Sequence, residues 1–331
     1  MRRREFIALL GNAAAWPVAA RAQQPDRMRL IGVLMAFAES DPAAQSEVAG
    51  FRDALKKLGW MEGNNLRIEL RWGTGDADRI KTFAKELVDL RPDAILGQTT
   101  PVIGALARET RTIPIVFAVV SDPIGSGFGA SLAHPGGNIT GFTTNEPAVG
   151  GKWMGLLKEI APRTVRVALL FNPATAVAPQ FFSSSIQDAA SSLAAQASAA
   201  PVHAKDEIES VIAAQARNPG GGLIVLPDAF FFDAPNRDLI IALAARYRVP
   251  TIYFQRIFVE EGGLISYGAD FAEEVRQAAG YIDRILKGAK PADLPIQLPI
   301  NYDMAINLKT ATSLGLNIPP TLLARADEVI E

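Results

Sequence analysis

"IPIVFAVVSDPIGSGFGASLAHPGGNITGF", residues 113–142, decides the fold. The apolar, largely β-branched run from Ile113 to Val120 is the pattern of a strand buried on both faces of a parallel sheet. Behind it, six glycines fall between Val119 and Phe142. A glycine-rich loop after such a strand is one way to cradle a phosphate. Here, however, Gly125, Gly127 and Gly129 are spaced G-x-G-x-G, and no acidic residue stands at a strand end about 20 residues on. No G-x-x-x-x-G-K-[ST] occurs in the chain. Asp122-Pro123 and Pro135-Gly136-Gly137-Asn138 read instead as two turns, with glycine supplying the positive φ that turns require. The stretch is therefore a strand followed by a turn-rich crossover.

Outward from it, short apolar runs alternate with longer amphipathic ones, which predicts parallel α/β layers. Strands are expected at 28–35, 66–72, 93–97 and 113–120, with helices at 44–60 and 77–90 between them. In the first helix Val48, Phe51, Leu55 and Leu58 recur at helical spacing, and Gly59 ends it. The second half repeats the theme, with strands at 165–171, 221–227 and 249–254 and helices at 179–196 and 238–247. Local phrases recur as well. "PDAILGQTT" (92–100) parallels "GGLIVLPDA" (221–229), "TIPIVFAV" (112–119) parallels "RVPTIYFQ" (248–255), and "GGNITGF" (136–142) parallels "GGLISYG" (262–268). The spacing between partners is the length of a lobe, so the chain reads as a duplicated βα unit whose two sheet edges face each other across a cleft. A chain of 331 residues, 49% hydrophobic and 21% charged, is long enough for two such lobes.

The first residues, "MRRREFIALLGNAAAWPVAARAQQ", read as an export signal over residues 1–22. A basic cluster precedes an uncharged stretch from Phe6 to Ala20, and Ala20-Arg21-Ala22 fits a small-x-small cleavage site. Arg3-Arg4-Glu5-Phe6-Ile7 resembles the twin-arginine pattern of folded-protein export, with Arg2 in place of the usual Ser or Thr and no Lys after Ile7, and an ordinary secretory signal is the alternative. The uncharged stretch is shorter than the roughly 20 apolar residues of a spanning helix. Loss of residues 1–22, with four Arg and one Glu, removes a net +3 and takes the formal charge from −2 to −5. An acidic, unclustered balance argues against nucleic acid as a partner. There is no cysteine, which excludes disulfides, thiol catalysis, cysteine metal sites and a lipid-modified cysteine.

No catalytic set emerges. G-x-S-x-G and S-x-x-K are absent, and the two histidines, His134 beside a Pro-Gly turn and His203 near a strand end, suit neither a triad nor zinc. The pairs Glu260-Glu261 and Glu273-Glu274 read as solvated helix or turn faces. No cofactor or metal is expected.

The phrases "IGVLMA", "FRDALKKLGWMEGNNLRIELRWGTGD", "TIPIVFAVVSDPIGSGFGASLAHPGGNITGF", "GGLISYGAD", "LPIQLP" and "INLKTATSLGLNIP" run in order from residue 30 to 319. In them the chain resembles the periplasmic substrate-binding proteins of ABC importers, in the branch that includes tryptophan- and tyrosine-binding members. That resemblance implies the type I periplasmic-binding fold, α/β with two Rossmann-like lobes of parallel sheet joined by a hinge. Lobe 1 would comprise residues 28–143 plus 268–297 and lobe 2 residues 144–267 plus 298–331. It also implies a non-enzymatic, monomeric periplasmic protein that closes on a small ligand and partners an inner-membrane ABC permease.

On that frame the strand ends facing the cleft supply the candidate ligand contacts: Phe37, Thr99, Thr100, Ser121, Asp122, Thr143, Asn145, Asn172, Asp228, Phe230, Tyr267 and Asp270. Thr99 and Thr100 open a helix, whose free N–H groups and hydroxyls suit a carboxylate, or else simply cap the helix. Asp122 and Asp228 stand at corresponding edges, and Asp228, beside three phenylalanines, is the better acceptor for a ligand ammonium. Its loss is expected to weaken binding more than it weakens folding, with the melting temperature of the free protein nearly unchanged. Phe37, Phe142, Phe230 and Tyr267 are the expected apolar walls. An amino acid, aromatic for preference, is the expected ligand, and a sugar or nucleoside the alternative. From other classes, an exported α/β hydrolase or transferase lacks its nucleophile elbow here, and the effector-sensing core of a repressor lacks its DNA-binding headpiece.

Overall fold

The computed structural model describes residues 27–176 and 179–331; the export signal read at residues 1–22 lies outside the described residues. Two sheets form the scaffold. The first holds β1 (Arg29–Met35), β2 (Leu66–Trp72), β3 (Ala94–Gln98), β4 (Ile115–Val120) and β5 (Ile139–Thr143), all parallel, in the order β2-β1-β3-β4-β5. Every residue of β3 and β4 is buried, as the uninterrupted apolar runs predict for strands covered on both faces. Helices α1 (Pro42–Lys57), α2 (Ala77–Asp89) and α3 (Thr100–Glu109) make the crossovers. Asp41 and Asp76 start the first two by accepting the N–H groups of Ala43 and Ala44, and of Asp78 and Arg79.

The second sheet contains β6 (Arg166–Phe171), β7 (Gln196–Pro201), β8 (Gly221–Val225), β9 (Thr251–Tyr253) and β10 (Ile265–Gly268), extended by β11 (Asp303–Asn307) and β12 (Glu328–Ile330). Its order is β7-β6-β8-β9-β10-β11-β12, parallel except for the β10–β11 pair. The first five strands thus repeat the order of the first sheet, and the phrases that recur in the sequence fall on β3 and β8, β4 and β9, β5 and β10. Around this sheet lie α4 (Val149–Ile160), α5 (Pro179–Ser192), α6 (Lys205–Ala216), the one-turn α7 (Ala229–Phe232), α8 (Ala234–Arg246) and α9 (Ile257–Glu260). Neither β7 nor α6 stands out in the sequence. β7 is an edge strand, largely exposed, and so lacks the apolar run that marks a central one.

One helix crosses over. α10 (Phe271–Leu286) leaves β10 of the second sheet and packs against α1 and β4 of the first. Asp270 caps it through Ala272 and Glu273, and Val275, Ala278, Ala279 and Ile282 form its buried side. The chain passes between the sheets at 144–148, at Ala269-Asp270 and at 298–302, and Thr143 N–H bonds Gln297 O at 2.9 Å where two of these passages run side by side. Two short helices, α11 (Leu308–Ser313) and α12 (Pro320–Leu323), precede β12. Among the described residues no helix is long and apolar enough to cross a membrane.

The glycine-rich crossover folds on itself as turns. Asp122 Oδ1 accepts the Gly125 N–H at 2.7 Å, Phe128 N–H reaches Pro123 O at 2.9 Å, and Ala130 N–H reaches Pro135 O at 3.0 Å. Gly141 answers a separate need, because a Cβ there would lie 2.1 Å from the Phe117 carbonyl oxygen on β4. Just beyond this close approach the register shifts: Phe117 faces Gly141 but Val120 faces Thr143, so β4 carries one extra residue. Val119, within that bulge, has φ +59°.

Candidate ligand-binding site

A narrow cleft opens where the carboxyl ends of the two sheets meet. Five of the expected contacts line it: Phe37 after β1, Thr99 and Thr100 at the β3–α3 junction, Ser121 after β4 and Asp228 after β8. The others lie elsewhere. Asp122 caps its own turn through Gly125. Thr143 donates its hydroxyl to Ser121 O at 3.0 Å, and Asn145 Nδ2 donates to Ser121 Oγ at 3.3 Å and Thr144 Oγ1 at 3.0 Å, so both brace lining residues from behind. Asn172 donates its N–H to Asp228 Oδ2 at 2.6 Å. Phe230 turns away edge-on to Phe231, Tyr267 stacks on Tyr302 at 5.4 Å, and Asp270 caps α10 beside a separate acidic hollow. Phe142 packs on Tyr281 in the core.

Of the four expected aromatic walls, Phe37 lines the cleft. Phe232, Phe254 and Phe271 line it with Phe37, together with Val119, Pro101 and Pro227. Phe37 and Phe232 stack at 4.4 Å, and Phe271 stacks on Phe232 at 5.5 Å. Phe232 comes from "DAFFF", where a single helical turn presents the third phenylalanine and not the first. Thr175 also lines the cleft and was not foreseen.

At the first edge Thr99 adopts φ 72° and ψ 156° at the N-cap of α3, a strained conformation for a β-branched residue that costs about 1–3 kcal/mol. Its side chain makes no capping bond, and its Oγ1 is buried without a partner on a residue only 6% exposed. Pro101 has no N–H, and those of Thr100 and Val102 find no acceptor among the described residues. A buried hydroxyl, free N–H groups and the positive end of a helix dipole thus converge where an anionic oxygen is favoured.

At the second edge Asp228 is 5% exposed and accepts three hydrogen bonds. Asn172 N–H reaches Oδ2; Thr175 Oγ1 at 2.5 Å and Phe230 N–H at 2.9 Å reach Oδ1. Burial pushes its pKa up to about 6, although those three bonds pull the other way. Among the described residues no Lys, Arg or His lines the cleft. Asp228 is thus a desolvated carboxylate lacking a cation, with one lone pair of Oδ2 unused. Among the described residues no group of His, Cys, Asp and Glu is arranged to hold a metal.

The chain matches the model of the ABC transporter substrate-binding protein family over residues 31–330, and it belongs to that family. The family binds solutes and is not enzymatic. Among relatives, a tyrosine-binding protein of Clostridioides difficile (strain R20291) is 23% identical over 282 residues, covering 83% of this chain and 78% of its own. A conserved domain protein from Vibrio cholerae is 29% identical with a TM-score of 0.83, covering 92% of this chain and 100% of that one. A domain from Streptococcus pneumonia solved in complex with L-Trp is 26% identical with a TM-score of 0.81, covering 91% and 99%. The two sheets and their crossings are the two-lobe periplasmic-binding fold that these structures share.

Proposed function

We propose that this protein captures an aromatic α-amino acid between its two lobes and delivers it to the permease of an ABC importer. The observation that carries the reading is the opposition of unpaired donors at Thr99 and the α3 N-terminus to the cation-free carboxylate of Asp228, with phenylalanine rings between. The first edge suits the ligand carboxylate, the second its ammonium, and Phe37, Phe232, Phe254 and Phe271 its ring. The relatives that bind tyrosine and L-Trp support the same ligand class. Lobe 1 would comprise 28–143 plus 268–297 and lobe 2 144–267 plus 298–331, closing about the three passages between them. Residues 1–22 would direct export, leaving a monomer in the periplasm.

Calorimetry with L-tryptophan, tyramine, tryptamine and indole-3-propionate tests the reading. Binding of L-tryptophan at least about tenfold tighter than either amine or the deaminated acid supports it, since both charged ends then contribute. Equal binding of indole-3-propionate removes the ammonium contact, and selective binding of an uncharged sugar overturns the amino-acid reading.

A further inference from the structure

Two carboxylates lie behind the cleft wall, not in it. Glu47 on α1 is 3% exposed and Glu274 on α10 is 4% exposed, and the two helices pack against each other over the first sheet. The expectation that Glu273-Glu274 is a solvated pair thus fails for Glu274, which α10 turns inward on the side of Phe271 and Val275. Neither Glu47 nor Glu274 lines the cleft, yet each bonds backbone or side chain directly beneath it.

Glu274 Oε2 accepts the Val119 N–H at 3.0 Å. Val119 lies in the bulge of β4, where the extra residue takes an N–H out of the sheet ladder. Buried without an acceptor, that N–H would oppose the bulge; Glu274 supplies the acceptor, and the Val119 side chain faces the cleft. Glu47 acts one strand over. It accepts from Gln98 Nε2, and Gln98 Oε1 accepts the Ala36 N–H at 3.3 Å. Gln98 immediately precedes Thr99 and Ala36 immediately precedes Phe37. Thr99 N–H in turn bonds Ala118 O at 3.0 Å, tying the two supported strand ends together. Both β-branched lining residues in the left-handed region, Thr99 at φ 72° and Val119 at φ 59°, are therefore held through these two acids.

The charge around the pair is one-sided. Asp41 at the start of α1 and Asp270 at the start of α10 face Glu47; Glu47 and Asp270 face Glu274; Tyr302 is the further titratable neighbour of Glu274. Glu273, Arg276 and Asp303 line the same outer hollow as Glu274, where Arg276 pairs with Glu273, and among the described residues no Lys or Arg is paired with Glu47 or Glu274. Burial pushes the Glu47 carboxyl up to about 8 and holds that of Glu274 well above the usual range, and Glu274 Oε1 has no partner.

We propose that Glu47 and Glu274 are positioning residues of the ligand site, which through their bonds to Gln98 and to the Val119 N–H set from behind the first sheet the backbone conformation that presents Phe37, Thr99 and Val119 to the ligand. This rests on the reading of the cleft as the ligand site. Ionisation of either acid would strengthen the bond it accepts but leave an unpaired charge buried behind the sheet, which draws in water and loosens the wall.

Glutamine mimics a neutral glutamic acid and leucine does not, so the test compares Glu274→Gln, Glu274→Leu and the double variant Glu47→Gln/Glu274→Gln in the full chain. Amide exchange of the 115–122 segment needs no ligand. It should match wild type in Glu274→Gln and run about tenfold faster or more in Glu274→Leu. Calorimetry with L-tryptophan and L-tyrosine from about pH 6 to about pH 9 should show affinity held within about threefold in Glu274→Gln and weakened about tenfold in Glu274→Leu. The alkaline weakening of wild type should be steeper than that of the double variant, a comparison in which the ligand's own titration cancels. If wild type binds neither amino acid, the failure belongs to the ligand reading, and the exchange comparison alone decides the positioning role. Exchange in Glu274→Leu equal to wild type, or Glu274→Gln as damaging as Glu274→Leu, overturns the proposal.

Discussion

The ring of Phe37, from the end of β1, stacks on that of Phe232, from α7, with centroids 4.4 Å apart and planes inclined by 29°. One ring belongs to the first sheet and the other to the second, so the contact bridges the cleft, and on the proposed function it would link aromatic recognition to closure. Truncation of Phe37 to Ala should raise the Kd for L-tryptophan by about tenfold or more and enlarge the radius of gyration of the unliganded protein. A double-mutant cycle with Phe232→Ala should return a coupling of about 0.5–1.5 kcal/mol. Unchanged small-angle scattering together with zero coupling would separate the stack from closure.

Asp228 contributes to folding as well as to the site. It bonds the N–H groups of Asn172 and Phe230 and the Thr175 hydroxyl, joining the end of β6 to the start of α7. The expectation that its loss leaves the melting temperature of the free protein nearly unchanged is therefore revised. Asp228→Ala should lower stability by about 1–3 kcal/mol through the unpaired donors and affinity by about 2–4 kcal/mol through the unpaired ligand ammonium. Denaturant unfolding and calorimetry measure the two effects separately.

The same residue predicts a pH dependence. Its folded pKa of about 6 lies above the ordinary 3.8, so the folded state holds the proton more tightly than the unfolded chain. The stability it confers is present below about pH 4 and declines as pH rises through about 6. Ligand binding follows the opposite course, because an ammonium requires the ionised form. Affinity should fall up to tenfold per unit below about pH 6, with proton release on binding near pH 5.5, about half a unit below that pKa. Titration in two buffers of different ionisation enthalpy would detect that release, and its absence would detach Asp228 from the ligand.

Thr99→Val removes a hydroxyl that has no partner in the unliganded protein while keeping the shape of the side chain. Stability should stay level or rise by about 1 kcal/mol, whereas affinity should fall by about 1–2 kcal/mol. Equal loss of both would mean that the hydroxyl serves folding.

Export can be checked apart from binding. The mature chain should begin near Gln23, read by mass spectrometry of the periplasmic fraction. Replacing Arg3 and Arg4 by Lys should abolish its accumulation there if the twin-arginine route is used, and an unchanged yield would assign the ordinary secretory route.

What the sequence by itself determined was the layered architecture and its duplication. Buried parallel strands must be apolar throughout, so β1, β3, β4, β6 and β8 announce themselves as runs, and their carboxyl ends place Phe37, Thr99, Ser121 and Asp228 at facing edges. Tertiary structure alone decided which way a side chain at an edge turns. Phe230 and Phe232 are two residues apart in one phenylalanine run, and the single turn of α7 sends only the second into the cleft. Tyr267 stands at a strand end like the others, but antiparallel pairing of β10 with β11 brings Tyr302 over its ring. The clearest case is Glu274 beside Glu273. Adjacent charged residues at a helix start look solvated in sequence, and only the packing of α10 on α1 and β4 buries one of them beneath a bulge whose N–H required an acceptor. Periodicity records which faces are apolar, but the contacts that fill those faces form between segments far apart in the chain.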